Sequence, residues 1–381
     1  MPPDPERIPF PCLMVGFDGK SAPPLLSRRL REGTVSGVVL FSRNVEGPRQ
    51  VRELCREIRA AAGRGRPAPF IAIDQEGGRV RRLKDDGFTQ FPPARSYGSF
   101  CCRADAVAEA AGRAMATELS AVGIDIDFAP VLDVDSNPRN PVIGDRALSA
   151  DPASTARLGV AFAGGMLSQG VVPVGKHFPG HGASDADSHK ELPVVRGSRK
   201  TLLSRDILPF RCAIRAGIPA LMTAHVVYPA LDRDHAATLS RKILTDLLRR
   251  ELRFRGVVFS DALEMKAITD RMGIGGAAVA ALKAGCDAVL VCRGDEALQD
   301  EAVDSLLRAC RDDAACRAAA DAANRRVSRL REIPALREAR RATLRQVGCR
   351  KHRELAALLR ERWTGSAPTS PGDRSGNIGE G

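Results

Sequence analysis

The chain has 381 residues with 44% hydrophobic composition, which is enough to bury a large core, and a formal net charge of +12 that suits an anionic partner. Aromatic residues make up only 4% of the chain, so few side chains can stack on bases, and no nucleic-acid-binding motif is present; a nucleic-acid partner is not expected. There is no run of about twenty apolar residues and no apolar export segment at the start, so we expect a cytoplasmic, monomeric protein that does not insert into a membrane.

Short apolar runs rich in β-branched residues alternate with longer helical patterns over most of the chain. The predicted strands are 12–17, 37–41, 70–74, 124–129, 171–177, 220–225, 256–261 and 286–292. Eight strands that alternate with helices are typical of an α/β fold of the (β/α)8 TIM-barrel type. A doubly wound open sheet is the alternative.

The helical segments have apolar residues spaced three and four apart. They are 51–62, 104–122, 154–169, 201–216, 241–252 and 275–284, followed by arginine-rich helices at 296–327 and 333–359. This pattern predicts a catalytic barrel domain over 1–330, a basic helical extension over 331–362 that adds C-terminal helices to the barrel, and a disordered tail over 363–381.

Polar residues occur at the carboxyl ends of consecutive predicted strands. They are Asp74, Asp127, His177, His225 and Asp261. One such residue is ordinarily a turn or cap residue, but a barrel brings all strand ends to one mouth. We therefore expect these side chains to lie around a common site.

The segment 176–193 concentrates titratable groups directly after the fifth predicted strand. It holds three of the six histidines of the chain, His177, His181 and His189. Histidines four apart could bind a metal on a helix, but Pro179 and Gly180 lie between the first two, and proline alone costs a helix roughly 3 kcal/mol. A catalytic loop is favoured over a metal site or a plain surface loop, and its many small residues predict that it moves over a bound ligand.

Several motifs together resemble those of glycoside hydrolase family 3, and within it the bacterial cytosolic β-N-acetylhexosaminidases of cell-wall recycling. The similarity runs from about residue 13 to 225 and resumes through 261. The motifs are Asp-Gln-Glu-Gly-Gly-Arg at 74–79, Val-Ile-Gly-Asp-Arg at 142–146, Lys-His-Phe-Pro-Gly-His-Gly at 176–182, Asp-Ser-His at 187–189 and Phe-Ser-Asp at 259–261. The fold of that family is a (β/α)8 barrel, which agrees with the strand count.

The resemblance implies a role for each matching residue. Asp261 would be the nucleophile, His189 the general acid/base and Asp187 the carboxylate that orients this histidine. The residues implied to contact a terminal N-acetylglucosamine are Asp74, Arg82, Arg146, Lys176 and His177. The chain departs from many relatives at Ala262 and at 147–148, which bears on substrate preference more than on the chemistry.

The predicted function is a retaining exo-β-N-acetylglucosaminidase that acts on muropeptides or related glycosides, without a cofactor or metal. Retaining glycosidases use a nucleophile and an acid, and histidine can be the acid near neutral pH because its ordinary pKa is about 6.5. The alternatives are a phosphorylase, because a neutral histidine does not repel an incoming phosphate, a β-glucosidase, a metal-dependent hydrolase, and a non-catalytic sugar-binding barrel.

Overall fold

The computed structural model describes residues 13–63, 65–184, 192–333 and 342–363. Its centre is a closed barrel of eight parallel strands, in which each strand pairs with its sequence neighbours and the last strand pairs with the first. The strands are β1 Leu13–Val15, β2 Gly37–Leu40, β3 Phe70–Ile73, β4 Ile126–Asp127, β5 Val172–Phe178, β6 Ala220–Thr223, β7 Val257–Ala262 and β8 Ala288–Val291. The predicted TIM barrel is confirmed, and the open sheet is wrong.

Alternating side chains of each strand fill two separate cores. In β2, Val39 packs inside the barrel, whereas Val38 and Leu40 pack outward against the helices. This follows from the two-residue period of a strand, and both faces are apolar because helices cover the outside. The inner core is closed at the amino-terminal end of the barrel by Val327 and Leu330, which belong to a C-terminal helix.

The helices surround the barrel. They are α1 Pro24–Glu32, α2 Pro48–Ala60, α3 Ala104–Val122, α4 Pro152–Leu167, α5 Arg199–Ser204, α6 Leu208–Arg215, α7 Lys266–Ala284, α8 Glu296–Asp312, α9 Ala314–Leu330 and α10 Arg350–Arg362. A π-helical segment spans Lys242–Glu251. Segments of 3-10 helix occur at Ser42–Asn44, Ala94–Arg103, Gly144–Arg146, Ala237–Leu239 and Leu344–Gln346. Two small hairpins, Gln75–Gly77 with Val80–Arg81 and Val227–Tyr228 with Asp232–Ala236, lie outside the barrel sheet. In the part of the chain described here, no helix combines the length and the apolar character needed to cross a bilayer.

Three helix predictions need correction, and one helix was not predicted. Within the predicted helix 333–359, the described residues 342–349 are not α-helical, because Leu344–Gln346 is a 3-10 turn and Gly348 has a φ of +58°, so α10 begins only at Arg350. The segment 296–327 is two helices, because Asp313 has an extended backbone and its carboxylate accepts the amides of Ala315 and Cys316 at the start of α9. The segment 201–216 is also interrupted, and α6 restarts with Pro209 in its first turn. Helix α1 was not predicted, since it has only nine residues and few apolar positions.

A buried carboxylate joins strands and helices at the amino-terminal face of the barrel. Asp287 is 1% exposed and directly precedes β8; it accepts the amide of Val258 at 2.8 Å and the guanidinium of Arg326 at 2.6 Å, and it also pairs with Arg249. These three donors belong to β7, α9 and the π-helical segment. Asp287 therefore fixes the helices at the end of the barrel that is opposite the strand carboxyl ends.

We expect Asp287→Ala to lower the free energy of unfolding by about 3 to 5 kcal/mol, because it leaves the Arg249 guanidinium buried without its carboxylate. Urea denaturation followed by circular dichroism measures this change. The matched control is Asp246→Ala, which removes an exposed pair with Arg250 and should cost less than about 1 kcal/mol. Equal losses in the two variants would contradict the structural role of Asp287.

Candidate active site

The first part of the site is the hairpin that follows β3. Asp74 directly follows the strand, and the chain turns at Gly77 and Gly78, which have φ angles of +92° and +59°. These angles favour glycine, and a Cβ atom at Gly77 would also lie 2.6 Å from the carbonyl oxygen of Pro92. The tight turn brings Arg82 back to Asp74, with 3.3 Å between Nη2 and Oδ2.

Lys176, near the end of β5, lies between two carboxylates of this hairpin. Its Nζ atom is 2.7 Å from Asp74 Oδ1 and 2.7 Å from Glu76 Oε1. Glu76 is also held by Arg146, whose Nε and Nη2 donate to its two oxygens at 2.8 Å each. We call Asp74, Glu76, Arg82, Arg146 and Lys176 the mouth cluster.

The members of the mouth cluster keep one another charged. Burial alone raises the pKa values of Asp74 and Glu76, but the neighbouring cations outweigh burial and hold both values below their ordinary range. Burial lowers the pKa of Lys176, and the two carboxylates more than compensate, so that pKa is raised. At neutral pH the cluster therefore presents two carboxylates and three cations.

Within the mouth cluster, exposure differs between the members. The Asp74 side chain is 17% exposed, whereas that of Glu76 is 3% exposed. Asp74 is thus the more accessible of the two carboxylates for a ligand, whereas Glu76 is enclosed by Lys176 and Arg146.

A buried carboxylate, which was not predicted to be part of the site, holds His177 and His181. Asp133 is fully buried; it accepts the backbone amides of His177 and His181, and its Oδ2 lies 2.7 Å from His177 Nδ1. A carboxylate only accepts, so Nδ1 of His177 carries the proton. Burial raises the pKa of Asp133, but His177 and the amides outweigh it and lower that pKa.

His181 is a structural histidine. Burial, followed by repulsion from His177, lowers its pKa to about 4, so its ring is neutral at pH 7, and Nδ1 lies 2.9 Å from Ser184 Oγ. Asn140 donates to the carbonyls of His181 and Gly182, and a Cβ atom at Gly182 would lie 1.7 Å from the Val134 oxygen. Close packing therefore accounts for the presence of small residues at 180–184.

The next stretch, 185–191, lies outside the described residues. It contains His189 and Asp187, the predicted acid/base and its orienting carboxylate. The predicted loop movement over 185–191 also lies outside the described residues.

Asp261 lies in β7 at the carboxyl end of the barrel and is partly exposed. Its Oδ1 accepts the amide of Ala262 at 2.8 Å. The Ala262 carbonyl in turn accepts from Nε2 of the buried His225 at 2.9 Å, and His225 Nδ1 lies 2.7 Å from Thr238 Oγ1. His225, one of the predicted strand-end residues, therefore holds the backbone beside Asp261.

Cys292, just after β8, has a buried thiol at the carboxyl end of the barrel. Its pKa is raised far above the ordinary value by burial and then by the carboxylates of Glu264, Asp74 and Asp261. Asp74 and Asp261, which are 187 positions apart, therefore both act on the same buried group. Asp127, the strand-end residue of β4, instead accepts the Gln75 amide at 2.9 Å and anchors the hairpin.

Most predicted site residues thus gather at one barrel mouth. Asp74, Arg82, Arg146 and Lys176 are joined in the mouth cluster, and His177 directly follows Lys176. Glu76, Asp133 and Glu264 were not predicted from the sequence. Glu76 is part of a quoted motif, two positions after Asp74, so strand-end spacing alone could have identified it.

The metal alternative gains no support from the described side chains. Among 13–63, 65–184, 192–333 and 342–363, no group of three or more His, Cys, Asp or Glu is arranged to hold a metal ion.

Glu264 is a buried carboxyl in the turn after β7. Its Oε1 accepts the amides of Cys292 and Arg293 at 2.6 and 2.8 Å. Burial raises its pKa from 4.5 to about 6 despite these hydrogen bonds. The folded protein therefore retains a proton on Glu264 in a pH range where the unfolded chain has lost it.

Between pH 4.5 and about 6, this retained proton makes the free energy of unfolding fall as the pH rises, by about 2 kcal/mol in total. We expect Glu264→Gln to remove this decrease in the free energy of unfolding, because glutamine keeps an accepting oxygen but does not titrate. Urea denaturation of both proteins across this range measures the difference. Glu354→Gln, in an exposed pair, serves as the control, and parallel curves for wild type and Glu264→Gln would contradict the prediction.

Comparison with known proteins identifies the family to which the chain belongs. The model of the glycosyl hydrolase family 3 N-terminal domain matches residues 25–330. A β-hexosaminidase of Thiobacillus denitrificans is 46% identical over 284 residues, covering 73% of this chain and 77% of the relative. A β-hexosaminidase of Pseudomonas aeruginosa is 44% identical over 279 residues, covering 73% of this chain and 81% of the relative.

Solved structures of family 3 enzymes are also similar to this chain. A family 3 β-N-acetylglucosaminidase from Paenibacillus sp. has a TM-score of 0.85 and 36% identity, covering 94% of this chain and 68% of that one. NagZ from Neisseria gonorrhoeae, solved in complex with N-trifluoroacetyl-D-glucosamine, has a TM-score of 0.73 and 33% identity, covering 92% of this chain and 98% of that one. The chain belongs to glycosyl hydrolase family 3 and is a glycoside hydrolase of the β-hexosaminidase type.

Proposed function

We propose that this enzyme removes terminal N-acetylglucosamine from β-glycosides, in particular from muropeptides of peptidoglycan, with retention of anomeric configuration. The observation that carries the proposal is the mouth cluster, a charged and hydrogen-bonded set of side chains at the same barrel end as Asp261. The name and ligand of the Neisseria structure support the choice of sugar. The net charge of +12 suits the anionic peptides of muropeptides.

The sugar would be held by the mouth cluster. Asp74 is ionised and the most exposed carboxylate of the cluster, so its free lone pairs can accept two sugar hydroxyls. Arg82, Arg146, Lys176 and His177 are the proposed donors to the sugar. Glu76 fixes Lys176 and Arg146 in place, which limits the reorganisation needed on binding.

The chemistry would follow a double displacement. Asp261 attacks the anomeric carbon, and the bond from that carbon to the leaving oxygen breaks while His189 donates a proton to this oxygen. Water then attacks the glycosyl-enzyme, returns a proton to His189 and releases Asp261. Asp187, two positions before His189 in the sequence, is the proposed carboxylate that orients its ring.

The first experiment is to incubate the enzyme with an aryl N-acetyl-β-glucosaminide, with and without phosphate, and to identify the sugar released. We expect free N-acetylglucosamine at a rate that does not depend on phosphate. N-acetylglucosamine 1-phosphate, formed at a phosphate-dependent rate, would instead make the enzyme a phosphorylase. Absence of turnover would favour a sugar-binding barrel.

We expect Asp261→Asn to reduce turnover of the aryl glycoside by at least about a thousandfold, because the amide cannot form the glycosyl-enzyme. Steady-state rates and mass spectrometry of the trapped intermediate measure this effect. Asp246→Asn, on an exposed surface pair, is the control and should retain full activity. A variant of Asp261 that still accumulates the covalent intermediate would contradict the nucleophile assignment.

The acid role of His189 has a separate signature. We expect His189→Ala to slow a glycoside with a poor leaving group by about 10²- to 10⁴-fold, and an activated nitrophenyl glycoside far less, because only the poor leaving group needs a proton. The ratio of kcat/KM values for the two substrates measures the effect. Equal losses on both substrates would rule out the acid role.

A further inference from the structure

The arginine-rich C-terminal helix α10 lies beyond residue 330, where the match to the family model ends. It is nevertheless docked beside the hairpin of the mouth cluster. On its buried face, His352 is 9% exposed, and its Nδ1 lies 2.8 Å from Glu118 Oε1. Glu118 belongs to α3 and also accepts the amide and hydroxyl of Thr89 at 2.9 and 2.5 Å, so it joins α10 to the 83–91 loop.

Two arginines of α10 extend this contact to the backbone of the 83–91 loop. Arg353 Nη2 donates to the carbonyl of Asp86 at 2.5 Å, and Arg360 Nη2 donates to the carbonyl of Gln90 at 3.1 Å. The turn before α10 approaches the loop so closely that a Cβ atom at Gly348 would lie 2.2 Å from the oxygen of Gly87. Both arginines are exposed, so their charges remain solvated while their donors fix the loop.

The 83–91 loop is in turn bonded to the hairpin. Gln90 accepts from Arg81 Nε at 2.8 Å and donates to the carbonyls of Leu83, Asp85 and Phe88, which rigidifies the loop. The carbonyl of Phe91 accepts the amide of Gly78 at 2.9 Å. Arg81 directly precedes Arg82, the partner of Asp74. Hydrogen bonds thus run from α10 through the 83–91 loop to the hairpin, and the peptide bond between Arg81 and Arg82 links the hairpin to the mouth cluster.

We propose that α10 is a clamp for the sugar-binding hairpin, and that Arg353 and Arg360 are positioning residues for substrate binding. The clamp acts on the hairpin that carries Asp74 and Arg82, whereas Asp261 belongs to a different element, β7. It should therefore determine how tightly the sugar is bound and leave the chemical step unchanged. The expected effect on sugar binding rests on the proposed function, whereas the expected effect on the rigidity of the hairpin does not.

The test compares two double variants that each remove two positive charges from α10. Arg353→Ala/Arg360→Ala removes both donors to the loop. Arg350→Ala/Lys351→Ala is the matched control, because Arg350 is 92% exposed and pairs with Glu354 within its own helix, while Lys351 is exposed. Arg353→Lys/Arg360→Lys, which restores an ammonium donor at each position, is the rescue variant.

The first readout needs no substrate. Hydrogen exchange should accelerate in the clamp variant at the amides of Gly78, Arg82 and Leu83, whose acceptors are Phe91 O and Gln75 Oε1, and should stay at the wild-type rate in the control. Unchanged exchange at these amides would overturn the clamp, whether or not the protein is an N-acetylglucosaminidase.

The second readout is kinetic. For the clamp variant, KM for an aryl N-acetyl-β-glucosaminide and Ki for N-acetylglucosamine should both rise about three- to tenfold, with kcat changed less than about twofold and partial recovery in the lysine variant. Faster exchange without a change in KM or Ki would overturn the positioning role. Failure of the wild type to turn over this substrate would refute the proposed function instead, and the exchange result would still decide the clamp.

Discussion

The site depends on one buried cation. The Lys176 side chain is 3% exposed, and an isolated ammonium at such a depth would cost several kcal/mol or lose its proton. Asp74 and Glu76 prevent this, each at 2.7 Å. Their own desolvation is offset by Lys176 together with Arg82 and Arg146, so no member of the mouth cluster can be removed without leaving another charge unbalanced.

The barrel makes this balance possible because it joins strands that are distant in sequence. Asp74 and Glu76 follow β3, while Lys176 is in β5 and Arg146 lies in a turn between β4 and α4. Parallel strands that close on themselves bring their carboxyl ends to one mouth, and the apolar inner core below excludes water from beneath the site. Fixed charges in such a place interact more strongly than they would in water and need little reorganisation when a ligand arrives.

The two ends of the barrel have different physical roles. At the amino-terminal face, Asp287 and its arginines tie helices to strands, and Val327 and Leu330 close the inner core. At the carboxyl face, Glu264 and His181 are buried groups that are shifted toward their neutral forms, beside the ionised mouth cluster. Stability and chemistry are thus supported by separate sets of polar residues.

Local pattern was sufficient to predict the strands and the barrel from the sequence, because each strand has apolar runs of the right length and the helices between them have the three- and four-residue spacing. It was also sufficient to place Asp74, His177 and Asp261 at strand ends. The breaks in predicted helices at Asp313 and near Pro209 were missed, because a single capping or proline residue overrides a long helical pattern. Only the tertiary structure decided that Glu76 pairs with Arg146, that Asp133 holds both His177 and His181, and that α10 contacts the 83–91 loop. Each of these is a hydrogen bond or ion pair between groups 44 to 270 positions apart, whose geometry arises from the closure of the barrel and the packing of α10.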